Sequence, residues 1–513
     1  MRTKKSIYNL LVAIIGHVGI VIANFFSRKI FIDHLGIEYL GVYSLFNNII
    51  AVLSLAELGI GIALIYCMYE PLEKNQINLL KALMEFYKKI YISIGLFILL
   101  LGLCLMPFVQ FIVSEEIPNI EIIFLLSVVN STITYFLAYK RSILIADQKS
   151  YIVNFYHYVF MLITIMVQII GIIIYPSLIV FLAISAIFKV IENILILRKA
   201  NNIYPFIINT KGCRLSKEYK ANIFKHMKGL AYHKVGSTVS HSSDNIILSI
   251  YTTISLVGIY SNYLLITNTL KTIVGQGFQS ITASVGNYIT TKKENEQIKL
   301  FNNILFSNAW IFGISSLILF FTFNLFIEMW IGENYLLNKY LVAIIVINFY
   351  LIGYRKAVIT FKNAHGLFWQ DRYKSIVEAL FNILISIILV QYFGLLGILI
   401  GTFISNLFIS YWIEAYVLYK YGFKVSVINY YFQSLRYIID LLVIFVAILV
   451  ILNLMNLTNF SLVVQFISNI LITLIIVTFF ILLFYKNDNR FKFFLNIIVK
   501  TLKLLTNKIK RRA

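Results

Sequence analysis

Leu462-Val463-Val464-Gln465-Phe466-Ile467-Ser468-Asn469-Ile470-Leu471-Ile472-Thr473-Leu474-Ile475-Ile476-Val477-Thr478-Phe479-Phe480-Ile481-Leu482-Leu483-Phe484 runs through 23 residues without a charged side chain. As a helix rising 1.5 Å per residue it reaches about 35 Å, enough to cross the ~30 Å hydrocarbon core of a bilayer, and it is apolar on every face. Working back along the chain, the same pattern recurs at 437–455, 395–418, 375–393, 340–357, 301–327, 257–281, 229–250, 178–197, 151–174, 120–139, 90–112, 38–66 and 7–31. Fourteen membrane-spanning helices are therefore predicted. The whole composition agrees: 60% of the 513 residues are apolar and 13% charged, against about 45–50% and 25% in soluble domains. A soluble enzyme is excluded. So is a secreted disulfide scaffold, because three cysteines, Cys67, Cys104 and Cys213, cannot frame a chain this long and read as small apolar side chains. The stretch after the basic start Met1–Ser6 is longer than a signal-peptide core and lacks a small-x-small exit, so it is expected to stay as the first span.

The net charge of +22, from 44 Lys and Arg against 22 Asp and Glu, suits either nucleic acid or cytoplasmic loops beside anionic lipid, and position decides. Alternate loops carry Arg2, Lys4 and Lys5; Lys74 to Lys89; Lys140, Arg141 and Lys149; Arg198 to Lys228; Lys292 to Lys299; Arg355 to Lys374; Lys420 and Lys424; and Lys486 to Arg512. The intervening set holds only Arg28, Lys29 and Lys339. Basic loops stay on the cytoplasmic side, which places both termini there and leaves no role for nucleic acid. The opposite loops are too short to form a domain.

The chain repeats itself. Gly41-Val42-Tyr43-Ser44 returns as Gly258-Ile259-Tyr260-Ser261, and Gly59-x-Gly61 as Gly275-x-Gly277. Tyr135, Tyr139, Lys140 and Arg141 answer Tyr350, Tyr354, Arg355 and Lys356, while Val167-Gln168-x-x-Gly171 answers Val390-Gln391-x-x-Gly394. Four echoes in order, at offsets of 215 to 223, make spans 1–6 and 7–12 two copies of one design. Six spans preserve orientation, so the copies are expected to be parallel, related by an axis along the membrane normal. The expected architecture is all-α and polytopic: two six-helix bundles, over 1–200 and 229–420, around a central cavity. A basic cytoplasmic linker over 201–228 joins them, and 421–513 adds two helices and a basic tail.

Polar groups inside spans are costly unless they face a cavity or a partner, which makes each a candidate site. In the seventh span Lys234, Ser237, His241 and Asp244 fall at i, i+3, i+7 and i+10, one helical face. In the first span His17, Asn24, Ser27 and Arg28 fall at i, i+7, i+10 and i+11, again one face, and an offset of 217 superimposes the two stripes. They read as cavity linings rather than as satisfied packing contacts. Lys271 lies near the middle of the eighth span and Glu57 deep in the second, where they either pair or serve separately. Glu57 reads as a proton carrier or as an acid salt-bridged near the cytoplasmic end of its helix. Arg141 and Arg355 end the fourth and tenth spans, where they either snorkel to the interface or admit a headgroup from the cytoplasm. Nucleotide, redox, zinc-protease and serine-hydrolase signatures are absent, so no cofactor and no catalysis are expected.

Asp33-His34-Leu35-Gly36-Ile37-Glu38-Tyr39-Leu40-Gly41-Val42-Tyr43-Ser44, then Glu57-Leu58-Gly59-Ile60-Gly61, resembles the first-hairpin signature of bacterial polysaccharide flippases. Asn363-Ala364-His365-Gly366, Asp371-Arg372, Glu378-Ala379 and Gly394-Leu395-Leu396-Gly397 are similar to the same family's region around spans 10 to 12. The family is that of the oligosaccharide-lipid (Wzx-like) flippases within the multidrug/oligosaccharidyl-lipid/polysaccharide (MOP) exporter superfamily. One departure is Glu57, where an aspartate is common; the carboxylate is kept and gains one methylene.

The resemblance implies transport of undecaprenyl-diphosphate-linked oligosaccharide units of a cell-surface polysaccharide, from the inner to the outer leaflet of the bacterial cytoplasmic membrane. Alternating access would be driven by the membrane potential, by H+ or Na+ antiport, or by both. It implies membrane lipid, polysaccharide polymerase and assembly proteins as partners. A diphosphate needs a cationic, hydrated cavity, and Arg28, Lys234 and Lys271, with Asn24, Ser27 and His241, are its expected ligands. Glu57, Asp244 and His17 are the expected ion-coupling groups. The rivals are lipid II or a drug as cargo of the same architecture, and a membrane-embedded polymerase or glycosyltransferase, which the short outer loops disfavour.

Overall fold

The computed structural model describes residues 2–57, 60–113, 115–210, 212–496 and 499. Within their helices the side chains of 2–15, 56, 62–63, 138, 218, 222, 224–234, 237, 241, 280 and 283 lie outside the described set. The described chain is helical, with no strand, and packing divides it into two units, Met1–Asn262 and Tyr263–Ala513.

The first unit contains α1 (Arg2–Leu35), α2 (Ile37–Leu53), α3 (Ile60–Glu73), α4 (Ile77–Leu105), α5 (Val109–Ile112), α6 (Ile120–Leu137), α7 (Arg141–Ala146), α8 (Ser150–Ile174), α9 (Leu178–Ile203) and α10 (Lys217–Tyr251). The division falls within α11 (Ile254–Thr291). The second unit continues through α12 (Glu294–Ile331), α13 (Lys339–Tyr354), α14 (Lys356–Ala364), α15 (Lys374–Phe393), α16 (Leu395–Ser405), α17 (Trp412–Val417), α18 (Ile428–Met455) and α19 (Leu462–Tyr485). Ten helical segments among the described residues are long and apolar enough to cross a membrane. With α1, the α2–α3 run, α10 and α11, every one of the fourteen predicted stretches falls on helix.

The second stretch is not one helix. α2 stops at Leu53, a 3-10 turn covers Ser54–Glu57, and α3 resumes at Ile60. α1 and α2 are separated by Gly36, whose φ of +89° is a conformation side-chain-bearing residues avoid.

In lipid the helices gain little from hiding apolar surface from each other, so close packing and interhelical hydrogen bonds hold them. The two units repeat one such bond: Asn130 Nδ2 on α6 donates to Leu182 O on α9 at 2.8 Å, and Asn348 Nδ2 on α13 donates to Leu399 O on α16 at 2.9 Å. The donors are 218 residues apart and the acceptors 217, the same period as the sequence repeat.

The segment after α9 packs onto the first unit. Tyr204 donates to Asp147 Oδ2 at 2.6 Å, Thr210 donates to Glu85 Oε2 at 2.8 Å, and Ile207 and Leu215 are buried. Burial, with the Asp147 carboxylate as hydrogen-bond acceptor, pushes the Tyr204 phenol up. In the second unit α18 and α19 dock through aromatic side chains. Phe306, Trp310, Tyr430, Tyr437 and Tyr485 are buried together, and Tyr354 hydrogen-bonds Ser434 at 2.7 Å.

Candidate functional site

The break between α2 and α3 positions Glu57. Tyr91 on α4 donates to its Oε1 at 2.9 Å, and Tyr135 on α6 donates to Oε2 at 3.3 Å. The Tyr87 and Tyr91 rings lie 4.4 Å apart, and Tyr91 and Tyr135 5.7 Å. Gly61 makes room for this cluster: a Cβ there would sit 2.8 Å from the Tyr91 hydroxyl and 3.1 Å from Glu57 Oε1.

These groups form one wall of a cavity of about 530 Å3 within the first unit. Another part of the wall holds Asn130, Lys189 and Arg141. Lys189 Nζ donates to the Asn130 carbonyl at 3.3 Å. Arg141 donates to Glu192 at 2.7 Å and to Asn193 Oδ1 at 3.3 Å, and His157 Nδ1 lies 3.4 Å from the same Glu192 carboxylate. Two buried atoms of this wall have no hydrogen-bond partner: the Asn130 Oδ1 acceptor and the Arg141 Nε donor.

The second unit places Arg355 in a denser network. Its Nε and Nη2 grip both oxygens of Glu414 at 2.9 and 2.8 Å, the geometry of a bidentate guanidinium–carboxylate pair. Nη1 reaches Asn406 Oδ1 and lies 3.6 Å from Glu378. Lys374 contacts Glu414 at 2.6 Å and Glu378 at 3.3 Å. Two cations and two carboxylates leave this buried cluster neutral. Glu414 sits on α17, between π-helical turns at Asn406–Tyr411 and Leu418–Phe423, and such turns place side chains that a regular helix would misdirect.

The remaining expected site residues lie on α1, α10 and α11. Arg28 Nη1 donates to Ser261 Oγ at 3.1 Å, and Ser261 donates to the Gly258 carbonyl at 2.7 Å. Ser27 and Asp244 are buried, Asn24 is half-buried, and His17 Nε2 is buried without a hydrogen-bond partner. Lys271 is half-buried. Neither Arg28 nor Lys271 has a carboxylate within 4.0 Å among the described residues. The side chains of Lys234 and His241, and of Ser237 between them, lie outside the described residues.

The repeated Gly-x-Tyr-Ser motif is a helix crossing. A Cβ on Gly41 would lie 2.1 Å from Ile254 O, and one on Gly258 would lie 2.4 Å from Ile37 O. Each glycine faces the carbonyl four residues ahead of the other, so the contact between α2 and the start of α11 is reciprocal. Ser255 donates across it to Glu38 at 3.1 Å, and these two residues are also 217 apart.

Sequence reasoning did not single out Tyr91, Asn130 or Lys189 as a group with Glu57. Tyr135 was visible as part of a repeat, and the matching of Val129-Asn130 by Ile347-Asn348 is a signal that could have found Asn130. Tyr91 had none, because a tyrosine in an apolar stretch is ordinary.

This helical arrangement is the fold of MOP-superfamily transporters. Lipid II flippase MurJ in an inward closed conformation superimposes with a TM-score of 0.64 at 16% identity, covering 92% of this chain and 99% of that one. An inward-facing multidrug-resistance MATE transporter of the superfamily gives 0.63 at 13% identity, covering 80% and 99%. A superfamily transporter from Pyrococcus furiosus, described as having a binding pocket of reversed polarity, gives 0.56 at 13% identity, covering 83% and 97%. No protein-family model and no curated protein matches the chain. At these identities the likeness establishes the fold alone; the ten long apolar helical segments among the described residues are what make this a multi-pass membrane protein.

Proposed function

We propose that this chain is a flippase that moves a polyprenyl-diphosphate-linked oligosaccharide from the cytoplasmic to the outer leaflet of the bacterial cytoplasmic membrane, with both termini in the cytoplasm. The observation that carries this reading is the contrast among its helix-borne cations. Arg141, Arg355 and Lys374 each hold a carboxylate, whereas among the described residues Arg28 and Lys271, like Lys140, Lys189 and Lys356, have none within 4.0 Å. An unpaired cation in a low-dielectric setting is expensive, and an anionic headgroup removes that cost. The fold match supports the same reading, since the lipid flippase covers 92% of the chain and the multidrug transporter 80%. Outward movement of an anion gains about 2.3 kcal/mol per charge per 100 mV of an inside-negative potential. Glu57, Asp244 and His17 are the groups through which an H+ or Na+ gradient would add to it.

The direct test is mass spectrometry of polyprenyl-linked sugars after depletion of the protein, with an impermeant probe reporting the leaflet. Complete repeat units are expected to accumulate on the cytoplasmic side. Incomplete units would point to an enzyme instead, accumulated lipid II to the other cargo, and an unchanged pool would remove the proposal.

Arg28→Lys supplies a second test. Lysine keeps the charge but loses the planar fork that grips phosphate oxygens, so flipping should fall about tenfold or more while the protein still folds. Flipping at the wild-type rate would remove Arg28 from the headgroup site.

A further inference from the structure

The loop His365–Tyr373 joins α14 to α15, and the segments on either side of it, Lys339–Ala364 and Lys374–Phe393, are both long and apolar enough to cross a membrane. Backbone hydrogen bonds fold it into turns. Gly366, at φ +70°, donates to Asn363 O at 3.0 Å, Leu367 donates to Lys362 O at 3.1 Å, and Lys374 donates to Asp371 O at 2.9 Å. A loop folded in this way between two spans cannot rise far above the bilayer, so it lies at the depth of the lipid headgroups. Its acid and its aliphatic side chain turn inward: Asp371 is 3% exposed and pairs with the buried Lys362, and Leu367 is buried.

What turns outward is basic and aromatic. The Arg372 guanidinium lies 4.0 Å from the Trp369 ring centre and 4.6 Å from that of Tyr373, and its Nη1 donates to Trp369 O at 2.8 Å. Its Nε is sealed within the protein, whereas Nη2 donates to nothing among the described residues and is not sealed, so a ligand would meet the Nη2 end. Trp369 is 63% exposed and Tyr373 54%. The turn Leu418–Phe423 packs against the start of the loop, with the Phe423 ring 5.6 Å from that of His365. It carries an exposed Lys420 over the exposed rings of Tyr416 and Tyr421, at 5.1 and 5.4 Å. Neither Arg372 nor Lys420 has a carboxylate within 4.0 Å among the described residues.

We infer that this face of the second unit binds the headgroup of an anionic phospholipid, with Arg372 on the phosphate and Trp369 and Tyr373 flanking it. Tryptophan and tyrosine rings suit headgroup depth, where the ring body meets acyl chain and the polar tip meets water. Rings alone would serve a zwitterionic headgroup equally well. A cation with no carboxylate beside it is what selects net negative charge. Stacking holds the guanidinium plane in place, and a fixed plane suits phosphate oxygens better than a mobile ammonium does. A protein partner would first have to displace lipid from rings already at the depth of the bilayer surface. The inference concerns the surrounding bilayer and stands whether or not the protein is a flippase.

The test is tryptophan quenching in the purified full-length protein, in nanodiscs of phosphatidylglycerol and phosphatidylcholine at equal mole fractions. One or the other lipid carries bromine near the headgroup end of its acyl chains. Bromine quenches only rings that it nearly touches, and subtracting the signal of Trp369→Phe isolates Trp369 from the other three tryptophans. Brominated phosphatidylglycerol is expected to quench Trp369 at least twice as strongly as brominated phosphatidylcholine. In Arg372→Gln the two lipids should quench alike, with thermal unfolding reporting that the variant folds. Wild-type protein in about 1 M NaCl, where the Debye length shortens to ~3 Å, gives a second readout without any variant, and the preference should fade there. Equal quenching in the wild type would leave an unselective aromatic anchor and overturn the site. Quenching by neither lipid would mean that protein, not lipid, covers the loop. A preference that survives in folded Arg372→Gln, or at high salt, would remove Arg372 and its charge from the selection and overturn the site as well.

Discussion

Glu414→Gln is expected to lower the thermal unfolding midpoint of the detergent-purified protein by roughly 6–20 °C, the shift that about 3–5 kcal/mol produces in a unit of this size. Glu414 is 2% exposed and takes three charged hydrogen bonds, two from Arg355 and one from Lys374. Neutralising it leaves two buried cations facing Glu378 alone. Adding Lys374→Met restores neutrality, so the double variant should recover part of the loss. Such coupling is expected of residues sharing one network. In the first unit Glu192→Gln should cost less, because the Arg141 and His157 side chains are 22% and 46% exposed and water screens what remains. A midpoint within 2 °C of wild type for Glu414→Gln would show that the network does not hold the second unit together.

Gly41→Leu should be nearly as damaging, for a steric reason. The added Cβ meets the Ile254 carbonyl, which is backbone and cannot swing away. α2 and α11 must then part, which costs at least the ~1–3 kcal/mol of ordinary overpacking and loosens the Ser255–Glu38 bond across the crossing. Gly258→Leu meets the Ile37 carbonyl in the same way. Because both side chains force the same separation, the double variant should be much less damaging than the sum of the two singles. Thermal unfolding of the four proteins measures this directly. Strict additivity would mean that the two glycines do not share one crossing.

Much of the fold was legible because membrane insertion writes itself into composition. A stretch such as 462–484 has no soluble alternative, because 23 uncharged residues in a row suit lipid and not water. The repeat was legible because duplicated helices keep their motifs. Gly41 and Gly258, found as a sequence echo, prove to be one physical contact.

The site was only partly legible. Glu57 stood out as a carboxylate in a span, and Arg28 and Lys271 as cations there. The partners of Glu57 were not readable, because Tyr91 and Tyr135 come from helices 34 and 78 residues away. The break at Ser54–Glu57 was hidden as well, since the stretch around it is as apolar as a continuous helix would be. Lys189, Glu192, Glu378, Glu414, Arg436 and Asp440 lie within or at the edge of predicted spans, and the sequence gives none of them a face. Packing decides the face: Glu192 meets Arg141, Glu378 and Glu414 meet Arg355 and Lys374, and Asp440 meets Tyr485.

What the sequence determined by itself is the helical, membrane-spanning class, the number of helical stretches and the period of the duplication. All of these follow from one-dimensional patterns that lipid enforces residue by residue. What only the tertiary structure decided is which charges are neutralised and which remain available. In a low-dielectric interior that depends on a few ångströms between side chains far apart in the chain, and no local pattern records such distances.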